Sequence, residues 1–315
     1  MINRTKATRD AYGEILLELG KEFKNLVVFD ADISLSTRTC LFGRLFPDRF
    51  FNMGIAEQNM MVAAAGISTT GLVPFVSTYG VFAAMKCCEQ IRTFIAYPKL
   101  NVKIVVSHGG ITPGGDGVTH QATEDLSIMR SIPNMTVTMP ADSIATRILV
   151  QKAYEKQGPV YLRLTRNSVP CIYPENKSDF ELGKAVVIRK GKDITVIANG
   201  DMVYQAILAA DILMSRGIST RVIDFHTIKP LDTECLAEAA LETRAIITVE
   251  DNTILGGLGG AVCEFMAENY HRTPVKRIGL KDTFAESGDY YELLKKYGLS
   301  YEHIVKETER LIRNF

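Results

Sequence analysis

Lys103-Ile104-Val105-Val106-Ser107 runs without a break into His108-Gly109-Gly110-Ile111-Thr112-Pro113-Gly114-Gly115-Asp116-Gly117-Val118-Thr119-His120-Gln121. The first five residues form a short apolar run rather than an alternating one. Such a run suits a strand of a parallel sheet covered on both faces. The glycines that follow let the backbone approach a ligand closely. A loop leaving the carboxyl end of a strand is also where open α/β sheets bind their ligands. This loop carries His108 and His120, two of the five histidines, together with Asp116. One loop histidine is ordinarily a solvated side chain. Two of them with an acid, in a glycine-rich loop, form a candidate site.

The same pattern extends in both directions. Leu26-Val27-Val28-Phe29, Val73 to Ser77, Met135 to Thr138 and Val160 to Leu164 read as further strands. Segments 5–24, 56–70, 79–96 and 142–156 read as the helices between them. A Pro- and polar-rich stretch at 171–184 reads as a linker. Beyond it Ile194 to Ala198, Arg221 to Asp224, Ala245 to Val249 and Val275 to Ile278 read as strands. Helices fit 203–216, 233–242, 257–269 and 300–313. The expected fold is therefore two consecutive α/β domains with mostly parallel sheets, 1–170 and 185–315.

Composition narrows the function. Lys plus Arg and Asp plus Glu both number 36, so charge points to neither nucleic acid nor a membrane surface as partner. No apolar run is long enough to span a bilayer, and the start of the chain lacks a signal-peptide core. The six cysteines are scattered without zinc-ligand spacing, which reads as a reduced, cytoplasmic protein.

Glu57 is the most informative single acid. It stands in Met53-Gly54-Ile55-Ala56-Glu57-Gln58-Asn59, before Met60 to Ile67, a helix apolar nearly all round and so expected to be buried. Nothing nearby in sequence neutralises it. A buried, unpaired carboxyl keeps its proton and can donate it to a ring nitrogen. The ordinary reading is a helix-start acid favoured by the dipole.

An ordered series decides between these readings. Ile55-Ala56-Glu57-Gln58-Asn59, Phe75-Val76-Ser77-Thr78-Tyr79, Gly115-Asp116-Gly117-Val118-Thr119-His120-Gln121, Ser131-Ile132-Pro133-Asn134, Pro140-Ala141-Asp142 and Gly158-Pro159-Val160-Tyr161-Leu162-Arg163 follow one another. The series resembles the pyrimidine-binding domain of transketolases and the matching part of deoxyxylulose phosphate synthase. The second half, with Glu250 and Gly256-Gly257-Leu258-Gly259-Gly260, resembles the C-terminal domain that follows it. The resemblance implies thiamine diphosphate as cofactor and ketol transfer between sugar phosphates.

By that resemblance Glu57 hydrogen-bonds the aminopyrimidine. Phe82 and Tyr79, three apart on the expected helix, supply the ring slot, with Met85 where a third aromatic stands in the family. Asp32 and Ile33 lie beside the thiazolium. His108 and His120 bind the donor ketose, and His120 handles the two-carbon unit. Asp116 reads an acceptor hydroxyl. Arg166, Ser36 and Arg9 contact a phosphate. Arg163 faces away from Arg166 by strand alternation and is assigned no role. In the second half His226, His271 and His303 read as structural. Asp251-Asn252, after a strand, and the glycine turn read as packing and dimerisation features.

Gly115-Asp116-Gly117 is not the thiamine-family metal motif, because no Asn-Asn pair follows it. No metal ligand is therefore expected on this chain. Magnesium and the diphosphate should be held mainly by a separate N-terminal transketolase subunit, with a homodimeric core in a two-plus-two assembly. The alternatives are a beta-type subunit of a decarboxylating thiamine enzyme (synthase-like or keto-acid dehydrogenase) and a non-catalytic scaffold.

Overall fold

The computed structural model describes residues 4–313; residues 1–3 and 314–315 of the expected domains lie outside the described residues. A seven-stranded sheet runs in the order Thr227–Lys229, Thr136–Thr138, Val160–Arg163, Lys103–Ser107, Val73–Tyr79, Leu26–Asp30, Phe50–Asn52. All of its pairings are parallel except that of Thr227–Lys229 with Thr136–Thr138. Leu26–Asp30, Lys103–Ser107 and Val160–Arg163 are buried at every position, as the unbroken apolar runs require. Helices Thr8–Glu22 and Ser143–Glu155 pack together on one face.

A five-stranded sheet follows, ordered Val275–Leu280, Ile246–Thr253, Ile194–Ala198, Thr220–Asp224, Val186–Arg189. Only the edge strand Val186–Arg189 is antiparallel. The halves are fastened together. Thr227–Lys229, from the second half, closes the edge of the first sheet. Tyr173, in the linker, donates its N–H to Asp142 at 2.9 Å and its hydroxyl to Asp224 at 2.7 Å. One hydrophobic cluster runs through both halves.

Three local expectations are corrected. The segment 79–96 is not one helix. Strand Val73–Tyr79 continues through Tyr79, and the chain then winds as wide π-type turns at Phe82–Lys86 and Ile91–Ala96 around a short helix Cys88–Gln90. Gly80 stands where the strand gives way to these turns, packed so closely that a Cβ there would sit 2.8 Å from that of Ala122. Second, strand Ile246–Thr253 runs past Val249 and includes Glu250, Asp251 and Asn252. These polar residues find partners inside the protein, so the strand need not stop. Third, helix Glu57–Ser68 buries Met60, Met61, Ala64 and Ala65 but leaves Val62 exposed, as is Ile55 just before the helix. Its apolar residues exceed what one face can bury.

Candidate active site

Four adjacent parallel strands carry the candidate residues to one edge. Tyr79 pairs with Ser107, and Val106 with Arg163, so Tyr79, His108 and Arg166 emerge side by side. Asp30 pairs with Ser77, which places Asp32, Ile33 and Ser36 at the same end. A small antiparallel pair, Thr5–Ala7 with Ser168–Pro170, ties the first helix to the chain just after Arg166. Thr8 Oγ1 lies 3.0 Å from Thr165 Oγ1 and accepts the Thr165 N–H at 2.8 Å. Arg9 and Arg166 are the next residues along, so two distant arginines meet.

The aromatic and histidine rings converge. Tyr79 lies 4.0 Å from His108 and 5.6 Å from Phe82, centroid to centroid. His120 lies 5.8 Å from Tyr79 and 5.6 Å from Phe82. Tyr79 and Phe82 thus face one another although they share no helix; the correction is to how they meet. His108 adopts φ +62° and is buried, with Nδ1 2.6 Å from Ser107 Oγ. Burial, then the nearby Arg9, Arg166 and His120, push its pKa down to about 3. The imidazole is therefore neutral at physiological pH. His120 Nδ1 lies 3.0 Å from Thr119 Oγ1.

Glu57 begins its helix and is 4 % exposed, as expected. It is not unpaired. Lys86 Nζ donates to both carboxylate oxygens, at 2.9 and 2.8 Å. The same ammonium stands 4.7 Å from the centroid of the Phe82 ring. The turn Phe82–Lys86 brings this cation in from 29 residues away, beyond the reach of local sequence reading. Cys87, next to it, is a buried free thiol whose pKa is pushed up to about 12 by burial and then by Glu57, so it is inert. Met85 is exposed.

The arginines sit near His108. Arg9 donates to the Ser36 carbonyl at 3.1 Å, so Ser36 meets it through backbone. Burial, then Arg38, lowers the pKa of Arg9, and Arg166 adds to the repulsion. Such a cluster favours an anion between its members. Arg166 donates to the Pro113 carbonyl at 3.1 Å and lies 3.9 Å from Asp116 Oδ2. Asp32 adopts φ +65° and accepts from Asn52 Nδ2 at 2.8 Å. The Ile33 N–H donates to Asp30 Oδ1 at 2.7 Å. Asp30, which sequence reasoning passed over, also accepts from Thr37 and Thr39, and so shapes the loop carrying Asp32 to Ser36.

Arg163, assigned no role from its sequence, has a structural part. It is fully buried and pairs with Asp125 at 3.0 Å. A cation inside an apolar strand is itself a signal of a hidden counter-ion. The glycine turn of the second half is no open anion site. Glu250 accepts the Leu258 and Gly259 N–H groups at 2.7 and 2.8 Å and fills that helix N-terminus. Among the described residues no group of three His, Cys, Asp or Glu could hold a metal ion. No helix there is long and apolar enough to cross a membrane.

Comparison with known proteins agrees with this architecture. Residues 4–171 match the transketolase pyrimidine-binding domain, and residues 183–304 the transketolase C-terminal domain. A transketolase C-terminal section from Methanocaldococcus jannaschii is 48 % identical over 302 residues, covering 96 % of this chain and 95 % of that protein. A 6-deoxy-6-sulfo-D-fructose transketolase subunit from a Clostridium species is 40 % identical over 303 residues, covering 96 % and 94 %. A split-gene transketolase solved as an inactive beta4 tetramer superposes with a TM-score of 0.89 at 48 % identity, covering 98 % of each chain. The chain belongs to the transketolase family and carries that family's pyrimidine-binding and C-terminal domains.

Proposed function

We propose that this chain is one subunit of a thiamine-diphosphate-dependent transketolase that moves a two-carbon ketol unit from a ketose phosphate to an aldose phosphate. A separate subunit would supply the diphosphate-binding domain and hold the magnesium. The observation that carries this reading is the convergence of Tyr79, Phe82, His108 and His120 at one sheet edge. Glu57 lies behind Phe82 through Lys86, and Arg9 and Arg166 lie beyond His108.

The residues fit the pyrimidine end of the cofactor. The space between Phe82 and Glu57 already holds a nitrogen that faces the ring and binds both carboxylate oxygens. When bound, thiamine diphosphate supplies the nucleophilic carbon that attacks a ketose carbonyl. Glu57 would hydrogen-bond the ring nitrogen, for which Lys86, whose side chain is 48 % exposed, must withdraw. Phe82 and Tyr79 flank the ring by stacking, while Asp32 and Ile33 border the thiazolium side. His108, kept neutral and with Nδ1 held by Ser107, leaves Nε2 for a ketose hydroxyl. His120 orients the transferred unit, and Asp116 accepts from an acceptor hydroxyl. Arg9 and Arg166, beside Ser36, take the terminal phosphate as guanidinium forks.

The sulfonated sugar in one relative's name favours a second substrate reading. A terminal sulfonate would engage the same two guanidinium groups. The test is ketol transfer from xylulose 5-phosphate to ribose 5-phosphate, with thiamine diphosphate and magnesium, by this chain alone and with a diphosphate-binding partner chain. Activity only in the mixture supports the reading. Thiamine binding without transfer to any phosphorylated or sulfonated sugar overturns it.

A further inference from the structure

We infer that Asp251, in the second half of the chain, is a positioning residue that clamps the histidine loop of the first half. The inference rests on the functional reading above only for its effect on turnover; the clamp itself stands on geometry.

The Ile111 N–H donates to both Asp251 carboxylate oxygens, at 3.1 and 3.0 Å. Three residues earlier stands His108, with its backbone at φ +62°. The glycines between them make the close approach possible. A Cβ at Gly110, where φ is +59°, would fall 1.9 Å from Asp251 Oδ2. A Cβ at Gly109 would fall 2.1 Å from Arg163 Nε. The loop backbone therefore rests directly on this carboxylate and guanidinium, with no side chain between.

The support beneath is buried and cross-linked. Arg163 donates to Asp125 at 3.0 Å, to the Asp251 carbonyl and to Asn252 Oδ1 at 3.4 Å. Asp125 also accepts from the Tyr161 hydroxyl at 2.6 Å. Its other neighbour is Gly80, whose Cβ would lie 3.2 Å from Asp125 Oδ2. Gly80 lies between Tyr79 and Phe82. One ionic cluster thus underlies both turns that present the rings.

The clamp reaches His120 as well. Gly110 and Ala122 exchange backbone hydrogen bonds of 2.8 and 3.1 Å, which closes the loop two residues past His120. Fixing Ile111 and Gly110 therefore sets the spacing of both histidines. This explains why a strand of the second half extends through Asp251 instead of ending at Val249. It also gives the second half a part in substrate binding without lending a side chain to the substrate.

The test is Asp251→Ala in the assembled enzyme, which removes both acceptor oxygens, read three ways. Amide hydrogen exchange of a peptide spanning 107–121 should accelerate about 3- to 10-fold, the equivalent of one lost hydrogen bond. The peptide covering strand Leu26–Asp30 should not change. The KM for the donor ketose phosphate should rise about tenfold or more, while the Kd for thiamine diphosphate stays within about threefold. A residue that mattered only for folding would lower stability and cofactor affinity together. If Asp251→Ala does not fold, Gly110→Ala opens the same contact from the loop side and should give the same split. Unchanged exchange of 107–121 overturns the clamp. Faster exchange with donor KM and kcat within about twofold of wild type overturns its role in positioning. If the wild-type assembly transfers no ketol unit, the functional reading fails by itself, and the exchange measurement still decides the clamp.

Discussion

Lys86 is the sharpest point at which to press the candidate site. Its ammonium binds both oxygens of a carboxylate that is 5 % exposed, while its own side chain is 48 % exposed. A fully exposed pair contributes about 0.2–1 kcal/mol. Breaking a fully buried one costs about 3–5 kcal/mol. With one partner buried and the other half in water, the coupling should be about 1–2 kcal/mol. Lys86→Met leaves the carboxylate buried without its cation and should cost that amount. Glu57→Gln leaves an amide that no longer needs a cation, so adding Lys86→Met to it should cost far less. Urea denaturation of the wild type, both single variants and the double variant gives the coupling without screening the charges. The same set separates stability from function. Glu57→Gln should cut turnover with the partner chain by about 100-fold or more, because the amide has no acid proton to give. A coupling below about 0.5 kcal/mol would refute the pairing. Turnover retained in Glu57→Gln would remove Glu57 from the mechanism whatever the coupling.

Other expectations follow from the same geometry. His120→Ala should raise the KM for the ketose more than it weakens thiamine binding; equal loss of both would mark His120 as structural. The pKa of His108 is depressed to about 3, so the unfolded chain takes up a proton below about pH 6.5 that the folded chain refuses. Its contribution to stability is full above that pH and is lost as pH falls toward 3, by roughly 2 kcal/mol at about pH 5. His108→Asn, which tolerates the left-handed backbone, should flatten that acid slope in urea titrations. Parallel slopes in variant and wild type would contradict a buried neutral imidazole. Arg163→Met strands buried Asp125 and should cost about 3–5 kcal/mol, with partial recovery on adding Asp125→Asn. A loss under about 1 kcal/mol would show that the pair is not what holds these strands' ends.

Much of the framework was legible in the residues because it depends on local patterning. Lys103–Ser107 and Ile194–Ala198 coincide with the strands read from their apolar runs. A strand buried on both faces is mostly apolar, and its sequence records that directly. The glycine loop after Ser107 was legible for a similar reason. Its close approaches leave no room for a Cβ, so only glycine serves at 109 and 110. The helix expected over 79–96 failed because an apolar run with helical spacing does not report where the strand gives way or where turns widen.

The sequence by itself determined two α/β layers, a buried Glu57 and a histidine-bearing loop at a carboxyl edge, since each is written in neighbouring residues. Tertiary structure alone decided the partners: Lys86 for Glu57, Asp125 for Arg163, Asp251 for Ile111, and Arg9 beside Arg166. These pairs lie 29 to 157 residues apart, counting the last through Thr8 and Thr165. Burial demands that each charge find a counter-charge or hydrogen bond, but it does not say from which part of the chain. Only the order of the strands brings those partners together.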